Sequence, residues 1–346
     1  MWRKRMIGLL CVAVALRGFV ALDAPARMAD FFRTLAASPA VATSALAFEL
    51  GDTPIPSDGF LELLATPEEA EDAPLAAWTF TPHATPKTSY PIKTISINPR
   101  TESGYTTLGN IYVKNDSTKT LDLKALVDAP LPFKLAGNGP HVLVHTHGSE
   151  AYFPEGKDTY TPDDVERTLD KNYNMIRVGD ELEKQLKEAG ISVIHDRNIY
   201  DSPSYNGSYN RTLKAITAQL KKTPSIQVVI DLHRDAMTAK DGVKYRTAAK
   251  VDGKNATQLM IVMSSGESGL SHPNWQENLK LALKLQGRLA DKYPGLMRPL
   301  HLRKERFNMH ATKGSMLIEV GTSANALSEA LIAMRPLATE LADVLK

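Results

Sequence analysis

The 346-residue chain has a single cysteine, Cys11, and it lies in an N-terminal apolar run. The body therefore has no disulfide and no thiolate metal site, so any metal must be held by histidine and carboxylate. Net charge is equally scarce. Lys and Arg number 41 against 39 Asp and Glu, leaving +2, which gives no electrostatic basis for bulk nucleic-acid binding. The N-terminal apolar run, residues 6–16, is stopped by Arg17 and is too short to span a bilayer unaided, since crossing takes about 20 residues. No internal repeat is visible. What is present is ordinary for a folded protein, 43% apolar and 23% charged, enough for a full core.

The order of the chain suggests four parts. Residues 1–24 have the layout of an export signal or anchor: Arg3, Lys4 and Arg5 precede the apolar run, which resumes after Arg17. Residues 25–92 carry one or two short helical patterns and then recurrent prolines, the composition of a stalk or linker. Residues 93–140 form a small strand-rich lead-in, with strands expected at 94–97, 111–113 and 121–126. From His141 to the end, strands and helices alternate. Helices are expected at 172–189, 211–222, 273–293 and 325–345, with Pro336 kinking or splitting the last. Strands are expected at 141–147, 191–194, 226–232, 245–251, 259–263 and 316–320. This alternation predicts an α/β fold with a mostly parallel twisted sheet and helices on both faces.

Chemistry gathers at the strand ends, where open α/β sheets place their ligands. The first expected strand ends in His145-Thr146-His147-Gly148-Ser149-Glu150, another runs into His233, and a third contains Glu319. Burying imidazoles and carboxylates without a partner is costly. His147, Glu150 and His233 make the two-imidazole, one-carboxylate set of hydrolytic zinc sites, and Glu319 is placed to act as a general base. His145 and His147 share a face of their strand, so either could be the ligand; His147 is favoured because Gly148 follows and the strand should end there. Arg234 could orient a carboxylate or stabilise oxyanion charge, or pair with Asp231 or Asp235. The tyrosine-rich loop at 196–210 could line a sugar or peptide groove.

Five motifs occur in a fixed order: His-Thr-His-Gly-Ser-Glu-Ala-Tyr from 145, Asn-Met-Ile-Arg-Val-Gly-Asp-Glu-Leu from 174, Asp-Ser-Pro-Ser-Tyr-Asn-Gly-Ser-Tyr from 201, Asp-Leu-His-Arg-Asp-Ala from 231 and Leu-Ile-Glu-Val-Gly from 317. Together they resemble the stage II sporulation protein P family of zinc-dependent N-acetylmuramoyl-L-alanine amidases. The resemblance covers 141–346. It implies hydrolysis of the amide joining N-acetylmuramic acid to L-alanine of the stem peptide, with endopeptidase action on cross-links besides, during engulfment. It implies Zn2+ held by His147, Glu150 and His233, with Glu319 catalytic and Arg234 assisting. It also implies peptidoglycan as substrate and stage II sporulation proteins D and M as partners, with the chain exported and facing the forespore from the mother-cell membrane. The alternatives are a zinc peptidase confined to wall peptides and a non-catalytic wall-binding module.

Overall fold

In the computed structural model residues 88–99, 101–135 and 140–346 are described. The expected export segment and nearly all of the expected stalk lie outside the described residues, as do the side chains of His145 and Thr146.

The sheet is built where the sequence stays apolar on both faces of a strand. Three such strands carry the centre: β4 (Val142–Thr146), β7 (Val228–Asp235) and β13 (Gly314–Thr322), the last two buried along almost their whole length. Around them lie β1 (Tyr90–Ile95), β2 (Thr106–Leu108), β3 (Ile111–Asn115), β5 (Thr159–Tyr160) and β6 (Val193–His195). Later in the chain come β8 (Lys244–Thr247), β9 (Ala249–Val251), β10 (Lys254–Ala256), β11 (Leu259–Ser264) and β12 (Leu300–Arg303). Among the described residues the α-helices are α1 (Leu123–Asp128), α2 (Met175–Glu188), α3 (Ser208–Lys222), α4 (Trp275–Lys292) and α5 (Leu327–Leu345).

Eight strands join in the order β2-β3-β12-β11-β13-β7-β4-β6. Pairing is parallel throughout except between β2 and β3 and between β11 and β13. The sheet is thus mostly parallel, in two blocks that run opposite ways and meet at the β11–β13 seam. Helices cover both faces. The face of Val142, Val144, Ile230 and Leu232 packs on α2 through Met175, Val178, Leu182 and Leu186. The opposite face, through Leu143 and Val229, packs on Ile216 of α3. α5 lies against both α2 and α4.

The winding explains where a site must form. From β4 the chain crosses by α2 to β6 at the sheet edge. It then returns by α3, on the other face, to β7 on the far side of β4. Neighbouring strands whose connections leave in opposite directions open a crevice at their carboxyl ends, because no crossover covers it. β4 and β7 are such a pair, and their last residues lead to His147 and His233.

The structure departs from the sequence expectations in several places, and β5, β10 and β12 match no expected strand. Residues 121–126 are not a strand: Asp122 accepts from the Ala125 N–H and starts helix α1, an N-cap followed by the helix-favouring Leu123, Lys124 and Ala125. The 93–140 lead-in is not separate, since β2 and β3 extend the main sheet beside β12. Residues 245–251 are two strands; β8 joins β1 and β5 in a small second sheet, while β9 and β10 form a hairpin that turns at Asp252-Gly253. Pro336 lies inside an unbroken α5, buried against the core with Leu337 and Ala338, so packing offsets the lost hydrogen bond.

Gly179 of α2 shows how tightly this helix meets β6. A Cβ there would lie 2.3 Å from His195 Nε2 and 2.5 Å from Cε1. Gly179→Ala is expected to lower stability by about 2 kcal/mol, the overpacking cost less the helix-propensity gain. Urea unfolding checks this, and an unchanged or raised midpoint would contradict it.

Candidate metal centre

The parallel register sets the site. Glu319 of β13 lies opposite His233 of β7, and Asp231 of β7 lies opposite His145 of β4. Odd-numbered residues of β7 and β13 face the α3 side of the sheet, so Asp231, His233 and Glu319 share one surface. His147 follows β4 directly. Gly148 then lets the chain pass Ile199, since a Cβ there would come within 2.9 Å of Ile199 Cγ1. Beyond Glu319 the register of β13 shifts, with Gly321 at φ +70°. A Cβ at Gly321 would meet Thr257 Oγ1 at 2.1 Å, so glycine is required where the strand bends away from the site.

His147, Glu150 and His233 are all buried, and one ligand atom from each lies within 4.8 Å of the others. His147 Nδ1 is 3.8 Å from Glu150 Oε1, and His233 Nδ1 is 3.7 Å from Glu150 Oε2. Two ligands at about 2.1 Å from one tetrahedral ion stand about 3.4 Å apart, so the gaps are slightly wide for an ion and far too wide for hydrogen bonds. Both ring nitrogens of His147 are buried with no hydrogen-bond partner, as is Glu319 Oε2. Groups so placed fit a metal ion better than they fit one another. Ser208, Tyr209, Thr212 and Asp231 complete the small cavity onto which the two histidines open.

Electrostatics point the same way. Burial and the neighbouring His233 pull His147 down to about 4, so it is a neutral imidazole. Burial also opposes charge on His233, but Asp231, then Glu150 and Glu319, outweigh it and push this histidine up to about 10. The field at His233 therefore favours positive charge. Burial and Asp235 push Glu319 up to about 8, against the pull of His233 and Arg298.

Comparison with known proteins bears on which family this is. Residues 85–342 match the family described as Stage II sporulation protein P (SpoIIP). The chain belongs to the SpoIIP family. A curated relative, Stage II sporulation protein P of Bacillus subtilis (strain 168), is 27% identical over 198 residues. That match covers 54% of this chain and 46% of the relative, so the chain spans about half of the relative's length. Among solved structures, the N-acetylmuramyl-L-alanine amidase Ami1 from Mycobacterium smegmatis is similar over 62% of this chain and 99% of its own, at 12% identity and a TM-score of 0.37. The CwlD amidase from Clostridioides difficile, solved with the GerS lipoprotein, covers 59% and 94% respectively, at 16% identity and a TM-score of 0.33. Likeness this slight carries no residue roles across.

In this SpoIIP-family chain the sequence-named residues divide. His147, Glu150 and His233 come together, with Glu319 on the strand beside His233. Arg234 does not join them, because adjacent strand residues point to opposite faces. Its Nε donates to Ala151 O at 3.0 Å and its Nη2 to Glu166 O at 2.7 Å, and neither Asp231 nor Asp235 pairs with it. Asp235 instead meets Arg298 at 2.8 Å. The link from Arg234 to the site is its backbone N–H, which donates to Glu150 Oε2 at 3.0 Å; an oxyanion role is not available to a guanidinium so engaged. Two residues were missed. Asp201, buried, accepts from the Ser149 N–H, the Ser149 hydroxyl and Arg167. Arg167 also reaches Glu150 at 3.4 Å and stacks over Tyr205. Asp201 begins the third of the five motifs, which was a usable signal; Arg167 lies in none of them.

Arg234→Ala should leave the Ala151 carbonyl without the guanidinium donor and the Glu166 carbonyl with only the Ala151 N–H, and cost about 1–3 kcal/mol. Loss of urea stability with the backbone-held Glu150 contact intact is the expected result; an unaltered midpoint would show that the guanidinium bonds contribute little.

Proposed function

We propose that this chain is a zinc-dependent peptidoglycan hydrolase that acts in sporulation and cleaves the amide between N-acetylmuramic acid and the L-alanine of the stem peptide. The observation that carries this reading is the convergence of His147, Glu150 and His233 beside Glu319 at the β4–β7 crevice. Zinc suits the donor set, two imidazoles and one carboxylate, and supplies Lewis acidity when bound there. His147 and His233 hold it from the strand ends, and Glu150, fixed by the Arg234 N–H and Arg167, closes the third side.

Glu319 does the proton work in this reading. A carboxyl whose affinity for protons is raised by burial suits a general base near neutral pH. It accepts the proton of the attacking water and returns it to the departing amine of L-alanine. Tyr205, ring to ring with His147 at 5.2 Å and half exposed, stands at the rim where a glycan or stem peptide would enter. Residues 141–346 form the catalytic unit, with 93–140 extending its sheet. Residues 1–24 export or anchor the chain, and 25–92 give it reach from a membrane. Stage II sporulation proteins D and M are its proposed partners.

Glu319→Gln should keep its zinc by elemental analysis yet lose about 10²- to 10⁴-fold in release of muropeptides. His233→Ala should lose both zinc and activity. Mass analysis of digested peptidoglycan fixes the bond: stem peptides with free L-alanine amino termini are expected. Cut cross-links with stems still on the glycan would replace the amidase reading by a peptidase one, and full activity in Glu319→Gln would remove that residue as base.

A further inference from the structure

Each candidate ligand histidine has a second aspect that the proposed reaction does not use. His233 turns Nδ1 toward Glu150 Oε2, at 3.7 Å, and Nε2 toward Asp231 Oδ2, at 3.0 Å. His147 repeats the arrangement: Nδ1 is 3.8 Å from Glu150 Oε1 and Nε2 is 3.9 Å from Asp201 Oδ2. Both rings therefore point the same nitrogen at the shared carboxylate and the other at an aspartate. Asp231 is on β7 itself, two residues before His233. Asp201 arrives from the loop that follows β6.

Asp201 is the more telling of the two. Its side chain has no solvent exposure, and a buried carboxylate must be compensated. Two N–H or O–H donors from Ser149 and the Arg167 guanidinium do this. Those three bonds fix the carboxylate at the edge of His147, where the Nε2 atom is buried and makes no hydrogen bond. The 3.9 Å gap is longer than a hydrogen bond, and a ring shift of about 1 Å toward Asp201 closes it. For His233 the distance is already 3.0 Å, and a small ring rotation is all that aligns Nε2 on Asp231 for a hydrogen bond.

We infer that Asp231 and Asp201 are positioning residues that hold His233 and His147 as their Nε2–H tautomers, so that Nδ1 of each ring is the nitrogen offered to the metal. The inference rests on the zinc reading above. The physical reason is that a neutral imidazole has one donor and one acceptor nitrogen. A carboxylate at Nε2 keeps the proton there, frees the Nδ1 lone pair and makes it more basic, and losses at such partners typically weaken metal binding 10- to 100-fold. Ser149 and Arg167 then serve the metal through Asp201, which gives a role to the serine between the two ligands of the His147-Gly148-Ser149-Glu150 run.

The test uses the full chain labelled with 15N-histidine and loaded with zinc. Long-range 1H–15N spectra should show two metal-bound imidazoles, assigned to His147 and His233 through correlations to their own backbone resonances, both protonated at Nε2. Zinc affinity, measured by competition with a chromophoric chelator, should fall 10- to 100-fold in Asp231→Ala and in Asp201→Ala. In Asp231→Asn and Asp201→Asn, where the amide oxygen still accepts from Nε2–H, it should fall less. Zinc-loaded histidines protonated at Nδ1 would overturn the inference while leaving the zinc reading intact. So would alanine variants that lose thermal stability yet keep the zinc affinity of the native chain. A native chain that binds no zinc would overturn both. The tautomer measurement needs no aspartate substitution, so it decides the matter even if an aspartate variant fails to fold.

Discussion

His147, Glu150 and His233 stand within 4.8 Å of one another in a part of the protein closed to water, and much of the surrounding structure exists to make that tolerable. Two imidazoles and one carboxylate leave donors and acceptors that cannot all be matched among themselves. The surroundings answer with charge. Asp231 lies against one ring, Asp201 beside the other, and Arg167 between Asp201 and Glu150. The resulting field pushes His233 up to about 10 and holds His147 neutral. The field at His233 is compatible with a cation held there.

The fold delivers these groups by winding order more than by local sequence. α2 and α3 leave β4 and return to β7 on opposite faces, which opens the crevice at the carboxyl ends of those strands. Parallel pairing of β7 with β13 then brings Glu319 level with His233. A register shift at Gly321 interrupts that pairing just beyond the glutamate before it resumes at Thr322 opposite Asp235, and the loop closure at Gly148 brings Ile199 of the following loop against the residue after His147. Each device is small and each acts on geometry within two residues of a proposed ligand or base. A tightly packed core beneath, with Leu182, Leu186, Ile230 and Leu232 fully buried, keeps the strand ends from moving apart.

Arg234 illustrates the division of labour between backbone and side chain. Its guanidinium is spent on two carbonyls of the 151–166 segment, while its N–H steadies Glu150. The same segment supplies Arg167 and the Glu166 carboxylate, which Lys244 meets at 2.8 Å. This excursion from Ala151 to Asn174 is therefore a frame for Glu150, closed by backbone bridges at Glu150–Arg167 and Ala151–Asn174. Its apolar residues Val165, Leu169 and Tyr173 are exposed.

The sequence by itself determined the elements and the donor types. Period-2 and period-3.6 patterns located the helices and most of the strands from β4 onward, though not the short β5, β10 and β12, and the scarcity of cysteine confined any metal to histidine and carboxylate. The spacing from His147 to Glu150 could be read directly, because three residues across a turn keep both side chains near one strand end. Less local facts were out of reach. Whether residues 121–126 were strand or helix turned on one cap, Asp122, and whether Pro336 broke α5 turned on packing against distant residues. Which face Arg234 presented followed only from the register of β7, and Asp201 became part of the site only when its loop folded over Gly148. Local pattern reports what a residue can do in its own element. The contacts made between elements some 50 to 90 residues apart depend on strand order, and strand order is decided by how the helices cross the sheet.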